Sequence, residues 1–378
     1  MELPQFDPGL PFLADVVPSV LAAMGVDGFD ARIALPGPVK GSCVLLVDGL
    51  GAEQLASYAD DAPVLAGLGS ARLQVGFPST TAAGVASIGM GCRSGRHGMV
   101  GYCFRVPPVG VVNALRWRPH PWGPDLRDDL PPETVQPSPT IFERAAQIGT
   151  SVSVVAAAEL DHSGLTRAVL RGARYRGMHA LGDLAAGVHS ELAAGGFCYA
   201  YHSELDLVGH LYGPGSLEWR MQLRQVDRLV ESVVENLPRG TLLVVVADHG
   251  MIAVNPGRAV DLDADADLLD GVADVGGEAR ARYLYVADGA LDDVLTTWRD
   301  LLGDKAWVVT RDEAVAAGWF GDHVSDSARE RIGDIIAAAR DDTVLVRRSL
   351  EPMESSLVGH HGSLTTTEQH VPLLIATR

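Results

Sequence analysis

The feature that most constrains this chain is a pair of short apolar segments that each end at an aspartate. Ser42–Val47 (SCVLLV) is followed by Asp48, and Thr241–Ala247 (TLLVVVA) is followed by Asp248. Short apolar runs rich in β-branched residues predict strands that are buried on both faces, as in parallel sheets. Ligands of such sheets bind beyond the carboxyl ends of the strands, so both aspartates are candidates for one binding site.

The remaining pattern alternates strands with helices. Ser151–Ala157 (SVSVVAA) and Phe197–Tyr201 (FCYAY) are further predicted strands, and helical spacing of apolar residues covers Thr140–Ile148 and Leu217–Leu237. This alternation predicts an α/β fold with a largely parallel central sheet, flanked by helices on both faces.

The pattern of residue types changes at about residue 260. An acidic run (DLDADADLLD) is followed by a strand–helix–strand–helix pattern that extends to about residue 345. We therefore predict a small α+β insert or cap over residues 260–345, within a catalytic core formed by residues 1–259 and 346–378.

Composition excludes several classes of partner. The chain has 30 Lys and Arg against 48 Asp and Glu, a formal net charge of −18. Such a charge repels polyanions, so we expect binding neither to nucleic acid polymers nor to a membrane. The N-terminal segment lacks the basic start of a signal peptide, and the four cysteines show no CxxC pair. A cytoplasmic location is the resulting expectation.

Four short motifs carry side chains that bind divalent metal ions. Each has an ordinary structural reading when it is taken alone: an Asp-Gly turn, an exposed helix pair, a strand end or a surface loop. Together they supply three aspartates and three histidines, enough for two three-ligand sites with open positions. The motifs are Asp48-Gly49-Leu50-Gly51, Asp206-x-x-x-His210, Asp248-His249-Gly250 and Gly359-His360-His361-Gly362.

A fifth motif carries a candidate nucleophile. Phe77-Pro78-Ser79-Thr80-Thr81 comes directly before a helical pattern of small apolar residues that runs to Met90. Hydroxyl groups at such a place are often helix N-caps. The same place offers free backbone N–H groups that favour a phosphate, and a hydroxyl beside a metal ion is an activated nucleophile.

These motifs, in this order, resemble the type I phosphodiesterase/nucleotide pyrophosphatase family of the alkaline phosphatase superfamily. The resemblance extends from about Val44 to the C-terminus. It rests on VLLVDGLG, FPSTTAAGVASIGMGCRSGRHGMVGY, LDLVGHLYGP, VVVADHGM and GHHGS.

The resemblance implies an alkaline-phosphatase-like core and a two-metal hydrolase that acts on a small phosphate ester or diester through a phospho-threonine. Thr81 matches the nucleophile of the family. The metals are expected to be zinc, with manganese as the alternative. The implied ligands are Asp48, Asp248, His249 and the Thr81 oxygen for the first ion, and Asp206, His210 and His361 for the second.

Two positions depart from the family's pattern. Tyr102 stands where the family often has an asparagine that donates to a phosphoryl oxygen; a phenol can donate the same bond, so Tyr102 is a candidate substrate-binding residue. Ala82-Ala83-Gly84-Val85 replaces a Phe-Pro-Asn-His segment, which indicates a differently shaped pocket.

The substrate class stays open between two alternatives on the same fold. A phosphodiesterase is the leading interpretation. A phosphomonoesterase or phosphonate hydrolase is the alternative, since a dianionic ester usually requires additional positive charge. The sequence does not show whether Arg93, Arg96 or Arg105 faces the site. A metal-dependent binding protein without turnover is a third interpretation.

Overall fold

The computed structural model describes residues 2–378. Its strands are β1 (Gly41–Val47), β2 (Ala71–Gln74), β3 (Cys103–Val106), β4 (Gly110–Asn113), β5 (Arg118–Pro119), β6 (Val152–Ala157), β7 (Arg174–Met178), β8 (Gly196–His202), β9 (Thr241–Val246), β10 (Ile252–Ala253), β11 (Val260–Asp261), β12 (Val272–Glu278), β13 (Ala281–Val286), β14 (Ala306–Thr310), β15 (Ile335–Ala339), β16 (Leu345–Val346), β17 (Gly359–His360) and β18 (His370–Thr377).

Helices connect most of these strands. They are α1 (Val16–Ala23), α2 (Ala52–Ser57), α3 (Pro63–Gly67), α4 (Thr81–Met90), α5 (Ser94–His97), α6 (Pro132–Val135), α7 (Ile141–Gln147), α8 (Gly164–Val169), α9 (Leu181–Ala194), α10 (Glu204–Tyr212), α11 (Leu217–Glu235), α12 (Leu291–Leu302), α13 (Arg311–Ala316), α14 (Asp326–Arg331) and α15 (Thr366–Gln369). Short 3₁₀ turns are Leu13–Asp15, Ala59–Asp61, Ala158–Leu160, Pro256–Arg258, Ala266–Leu268, Gly303–Lys305 and Glu354–Ser356.

The main sheet has seven strands in the order β2-β18-β9-β1-β8-β6-β7. The five strands from β9 to β7 are parallel, and β18 joins them antiparallel to β9. Every residue of β1 and β9 is buried, as their apolar composition predicts. The prediction of a largely parallel α/β sheet is therefore confirmed, and the predicted helices correspond to α7 and α11.

The ends of neighbouring strands are aligned. In the register of the sheet, Val47 at the end of β1 lies opposite His202 at the end of β8, and Leu46 lies opposite Val246 at the end of β9. The residues that follow β1, β8 and β9 therefore emerge at one edge of the sheet, where parallel α/β folds bind ligands.

A second sheet lies within the residues that we predict to be an insert. Its four antiparallel strands have the order β12-β13-β15-β14, and Trp298 of α12 packs in an apolar cluster on one face. On the other side, the Tyr283 hydroxyl donates to the carbonyl of Val100 in the core. The pairing of β11 with β16 joins the two ends of this segment, and the boundary at 260–345 stays a prediction.

None of the helices within residues 2–378 combines the length and apolar composition that crossing a bilayer requires.

Candidate active site

Four segments bring the predicted ligands to the aligned strand ends. Asp48 directly follows β1, and Asp248 and His249 lie just beyond β9. Helix α10 begins two residues after β8 and carries Asp206. The fourth segment follows β17 and contains His361. Because β17 pairs with β10, this segment lies next to the residues that follow β9.

The first predicted ligand set is compact and buried. One ligand atom from each of Asp48, Asp248 and His249 lies within 4.8 Å of the others. The Oγ1 atom of Thr81 is 3.2 Å from Nε2 of His249, which in turn is 3.3 Å from Oδ1 of Asp48. The structure therefore brings the candidate nucleophile to the first predicted metal set.

The second predicted set lies beside the first. Nε2 of His210 is 3.3 Å from Oδ2 of Asp206 and 3.2 Å from Nε2 of His361. The rings of His361 and His249 are stacked with their centroids 3.5 Å apart, so the two sets are neighbours. Asp206, His249 and His361 also form a group with ligand atoms within 4.8 Å of one another.

All three histidines present the same nitrogen to the site. Nδ1 of His210, His249 and His361 lies 2.7, 3.0 and 2.9 Å from the backbone carbonyls of Gly359, Gly250 and Ser79, respectively. A carbonyl accepts only from a protonated nitrogen, so in the neutral imidazole each Nε2 carries the lone pair and faces the site. This is the usual arrangement of histidines that bind a metal ion.

The carboxylates also fit divalent ions. One oxygen of each of Asp48, Asp206 and Asp248 is buried and has no hydrogen-bond partner within the described chain. Buried carboxylate oxygens without a partner are costly unless a cation occupies the space in front of them. Together with the oriented imidazoles, they form donor sets that suit zinc or manganese.

The pKa values of the site reflect this crowding of charge. Burial raises the pKa of Asp206 to about 6, and burial together with Asp48 raises the pKa of Asp248 well above its ordinary value. Burial lowers the pKa of His249, but the carboxylates of Asp248 and Asp48 outweigh this effect and raise it to about 10. Without ions, these groups therefore bind protons at higher pH than they would in isolation.

Helix α4 begins at the candidate nucleophile. Thr81 is its first residue, and the preceding Thr80 has an extended backbone but makes no side-chain cap hydrogen bond. A Cβ atom on Gly84 would lie only 2.4 Å from Cβ of Asp248. The small residues after Thr81 therefore allow the first turn of α4 to approach the end of β9.

Two residues that the sequence analysis missed contact the site. The Tyr201 hydroxyl donates to Oδ2 of Asp48. The Thr80 hydroxyl donates to Oε2 of Glu278 at 3.1 Å, and this oxygen is 3.8 Å from Nδ1 of His361. Burial raises the pKa of Glu278 to about 8. Neither Tyr201 nor Glu278 lies in a motif, so only their position in the folded chain identifies them.

The contacts of Tyr102 are with a neighbouring hairpin. Tyr102 lies beside Asn113 of β4, and its phenol packs edge-on against the ring of His120, with centroids 6.3 Å apart. Burial raises its pKa well above the ordinary value. Its role in substrate binding stays a prediction.

A cavity of about 350 Å³ opens beside Thr81. Tyr175, Tyr199 and Tyr201 line one part of it, and the other polar residues of its lining are Asp48, Thr81, Ser163, Thr166, Ser203 and Asp206. The aliphatic part of the lining includes Val85, Leu115, Leu160, Leu165, Leu170 and Leu207.

Comparison with known proteins gives one family. The family model described as type I phosphodiesterase/nucleotide pyrophosphatase matches residues 42–364. Human ectonucleotide pyrophosphatase/phosphodiesterase family member 7 is 45% identical over 67 residues, which are 16% of this chain and 14% of that protein. The catalytic subunit of human GPI ethanolamine phosphate transferase 3 is 42% identical over 52 residues, 14% of this chain and 5% of that protein. The matches thus cover a small part of either relative.

Similar solved structures cover nearly the whole chain. Murine ectonucleotide pyrophosphatase/phosphodiesterase 5, an inactive variant in complex with AMP, superimposes with a TM-score of 0.68 at 15% identity, over 89% of this chain and 87% of that one. Phosphonoacetate hydrolase from Sinorhizobium meliloti 1021, in complex with phosphonoformate, gives a TM-score of 0.67 at 19% identity, over 90% of both chains. These likenesses show the alkaline-phosphatase-like fold.

Proposed function

The chain belongs to the type I phosphodiesterase/nucleotide pyrophosphatase family, and from that membership we propose that it is a phosphodiesterase with Thr81 as its nucleophile. The observation that carries the proposal is the 3.2 Å between Thr81 Oγ1 and Nε2 of His249, inside a buried cluster of carboxylates and imidazoles. A hydroxyl beside a metal-binding set is the arrangement from which an activated nucleophile is made.

Two divalent ions bound at Asp48, Asp248 and His249 and at Asp206, His210 and His361 would supply positive charge for the phosphate and lower the pKa of the Thr81 hydroxyl. We assign zinc, with manganese as the alternative, because both suit imidazole and carboxylate ligands.

The chain's own residues have three tasks in this account. The Thr81 oxygen forms a bond to phosphorus while the first ester group leaves as an alcohol, and water then cleaves the phospho-threonine. Helix α4 begins at Thr81, so the N–H groups of its first turn are available to phosphoryl oxygens. Tyr201 fixes the orientation of Asp48 through its hydrogen bond.

The cavity beside Thr81 supports a diester as the substrate. Its mainly aliphatic and phenolic lining suits an uncharged ester group, and no lysine or arginine of the described residues lines it. Arg93 instead donates to carbonyls of Gly318 and Trp319, and Arg105 pairs with Asp274 at 2.7 Å. A dianionic monoester would lack the additional positive charge that it usually requires.

A phosphonate hydrolase is the second candidate, because phosphonoacetate hydrolase has a similar fold. The cavity argues against a substrate with a carboxylate, since its lining offers that group no basic side chain within the described residues. A small phosphoester is proposed rather than a nucleic acid polymer, as the charge of −18 repels polyanions. The cytoplasmic location stays a prediction.

The test is steady-state hydrolysis of three substrates by the zinc-loaded and manganese-loaded protein. We expect bis-p-nitrophenyl phosphate to be preferred over p-nitrophenyl phosphate and phosphonoacetate. Thr81→Ala should abolish turnover, whereas Thr81→Ser, which keeps a hydroxyl, should retain part of it. A preference for the monoester or the phosphonate would reassign the substrate, and full activity in Thr81→Ala would refute the mechanism.

A further inference from the structure

The tip of the β12–β13 hairpin reaches the turn that carries the nucleophile. Glu278, the last residue of β12, accepts a hydrogen bond from the Thr80 hydroxyl at 3.1 Å. Its side chain is only 12% exposed, and its other oxygen, Oε1, is buried without a hydrogen-bond partner in the described part of the chain. A residue of the predicted insert thus contacts the residue next to Thr81.

The hairpin tip is held firmly in this place. Arg280, two residues after Glu278, forms a fully buried ion pair with Glu368 at 2.6 Å. Gly362, which follows His361, has a φ of +132°, and a Cβ atom there would lie 2.9 Å from Cδ of Glu278. The absence of a side chain at Gly362 therefore lets the Glu278 carboxyl lie against the site.

The contact changes what Thr80 does for helix α4. A threonine at an N-cap usually accepts a hydrogen bond from an N–H of the first turn. Thr80 has the extended backbone of an N-cap, with φ −138° and ψ 150°, yet its side chain accepts no such bond. Five other N-cap hydroxyls in the described chain do accept one, whereas those of Ser203 and Thr365 do not; the five are Thr140, Ser163, Ser216, Thr310 and Ser325.

We infer that Glu278 is a positioning residue that keeps the first turn of α4 open for the phosphate of the substrate. By accepting a hydrogen bond from the Thr80 hydroxyl, it holds this side chain in a conformation that does not cap the N–H groups of Ala82 and Ala83. Those N–H groups, at the positive end of the helix dipole, then remain free to donate to phosphoryl oxygens. The inference rests on the proposed function, because it assumes that phosphate binds at Thr81.

The first experiment measures phosphate affinity in Glu278 variants. The probe is inorganic phosphate, with its Kd measured by calorimetry on the zinc-loaded protein and its Ki measured against bis-p-nitrophenyl phosphate. Glu278→Ala should raise both the Kd and the Ki by about five-fold to ten-fold, the size expected when one hydrogen-bonding group is blocked. Glu278→Gln, whose amide oxygen can accept from Thr80, should lose less.

The second experiment removes the competing hydroxyl. In Glu278→Ala, Thr80 becomes free to cap the helix, whereas Thr80→Val cannot cap it. The double variant should therefore bind phosphate more tightly than Glu278→Ala alone, a non-additive result that a general loss of packing would not produce. If the double variant binds phosphate no more tightly than Glu278→Ala, or if Glu278→Ala leaves both constants unchanged, the inference is wrong.

Controls separate this role from other roles. Glu313→Ala removes another glutamate carboxylate at a helix N-terminus, one that accepts from the backbone N–H of Thr310 at an exposed site, and should change neither constant. Zinc content should remain two per chain in Glu278→Ala; loss of an ion would make Glu278 part of the metal site and refute the inference. If wild type binds phosphate in a Glu278-dependent way but hydrolyses no ester, the proposed function fails and the inference stands.

Discussion

At the residue scale, the histidines of the site are oriented before any ion binds. Each Nδ1 is hydrogen-bonded to a backbone carbonyl, so each Nε2 is fixed towards the site and offers its lone pair when the imidazole is neutral. A ligand that needs no reorientation loses little entropy when a metal ion binds. The fixed orientation therefore favours tight binding of the ions.

The adjacent pair His360 and His361 allows a matched test of this arrangement. Nε2 of His361 faces His210 at 3.2 Å, whereas His360 lies in β17 opposite Ile252. We expect His361→Gln to lower zinc content from two ions per chain to one, and to reduce turnover by at least about 100-fold. His360→Gln should keep both ions.

Metal analysis of the purified variants checks this prediction. A His360→Gln protein that loses an ion while His361→Gln retains both would show that the ligand was assigned to the wrong histidine.

At the element scale, helix α4 depends on a glycine at the point where it approaches β9. Gly84→Ala would place Cβ about 2.4 Å from Cβ of Asp248, so the helix or the aspartate must move. Helix propensity favours alanine by up to about 1 kcal/mol. A displacement of about 1 Å at reacting groups can cost about 100-fold in rate, so we expect turnover to fall by that much.

Gly182→Ala is the control for this prediction. Gly182 lies in helix α9, where an added Cβ would meet nothing within 4 Å in the described structure. Its replacement should leave turnover unchanged and raise the free energy of unfolding by up to about 1 kcal/mol. Equal turnover in both variants would contradict the close approach of α4 to β9.

The β12–β13 hairpin is anchored by a second buried ion pair. Arg282 in β13 pairs with Glu351 at 2.6 Å, and His120 is 2.8 Å from the same carboxyl. Burial raises the pKa of Glu351, but Arg282 and His120 outweigh it and lower the pKa from 4.5 to about 2. The ionised carboxylate therefore contributes stability that is complete above pH 4.5 and is lost as the pH falls towards 2.

Glu351→Gln should accordingly destabilise the protein by about 3–5 kcal/mol near pH 7, because Arg282 is left buried without its charge partner. The difference in unfolding free energy between wild type and variant should shrink as the pH falls from 4.5 towards 2. Denaturant unfolding over that range measures it. Glu235→Gln, at an exposed position, should differ from wild type by no more than about 0.5 kcal/mol throughout. A pH-independent difference for Glu351→Gln would contradict the assignment.

The elements themselves could be predicted because their signals are local. The apolar runs of β1 and β9 reflect strands that are buried on both faces. The helical spacing of apolar residues in α11 reflects a helix that is buried on one face. Glu278 could not be predicted as a site residue, since it is 198 positions from its partner Thr80 and lies in a hairpin with no motif. Only the packing of the β12–β13 hairpin against the turn before α4 brings them together.

At the scale of the whole molecule, the site concentrates negative charge in a protein that is already acidic. Asp48, Asp206 and Asp248 are buried together, and each has an oxygen without a hydrogen-bond partner in the described chain. Removal of the ions by a chelator should therefore lower the thermal midpoint, by about 5 °C or more if the free metal had exceeded its Kd 100-fold. Calorimetry before and after chelation measures the shift.

Re-addition of zinc should restore the midpoint, which separates metal loss from irreversible damage. A midpoint that does not respond to chelation would indicate that the ions contribute nothing to the folded state.

The candidate site was predictable to the extent that strand ends and helical spacing define it. Asp48 and Asp248 follow from the strand-end rule, and Asp206 and His210 follow from their separation of one helical turn. The choice of Thr81 and His361 depended on the family resemblance. The contact between Tyr201 and Asp48 required the register of β8 on β1, which apolar patterns do not specify.

The most direct test of the central claim is the stereochemical course at phosphorus. Each in-line displacement inverts the configuration, so attack by Thr81 followed by attack of water should give net retention. The measurement uses a phosphorothioate diester of one configuration, hydrolysed by the zinc-loaded protein in ¹⁸O-labelled water, with the configuration of the product determined afterwards. Retention is the predicted result. Inversion would mean that water attacks the diester directly, and would contradict the role of Thr81 as the nucleophile.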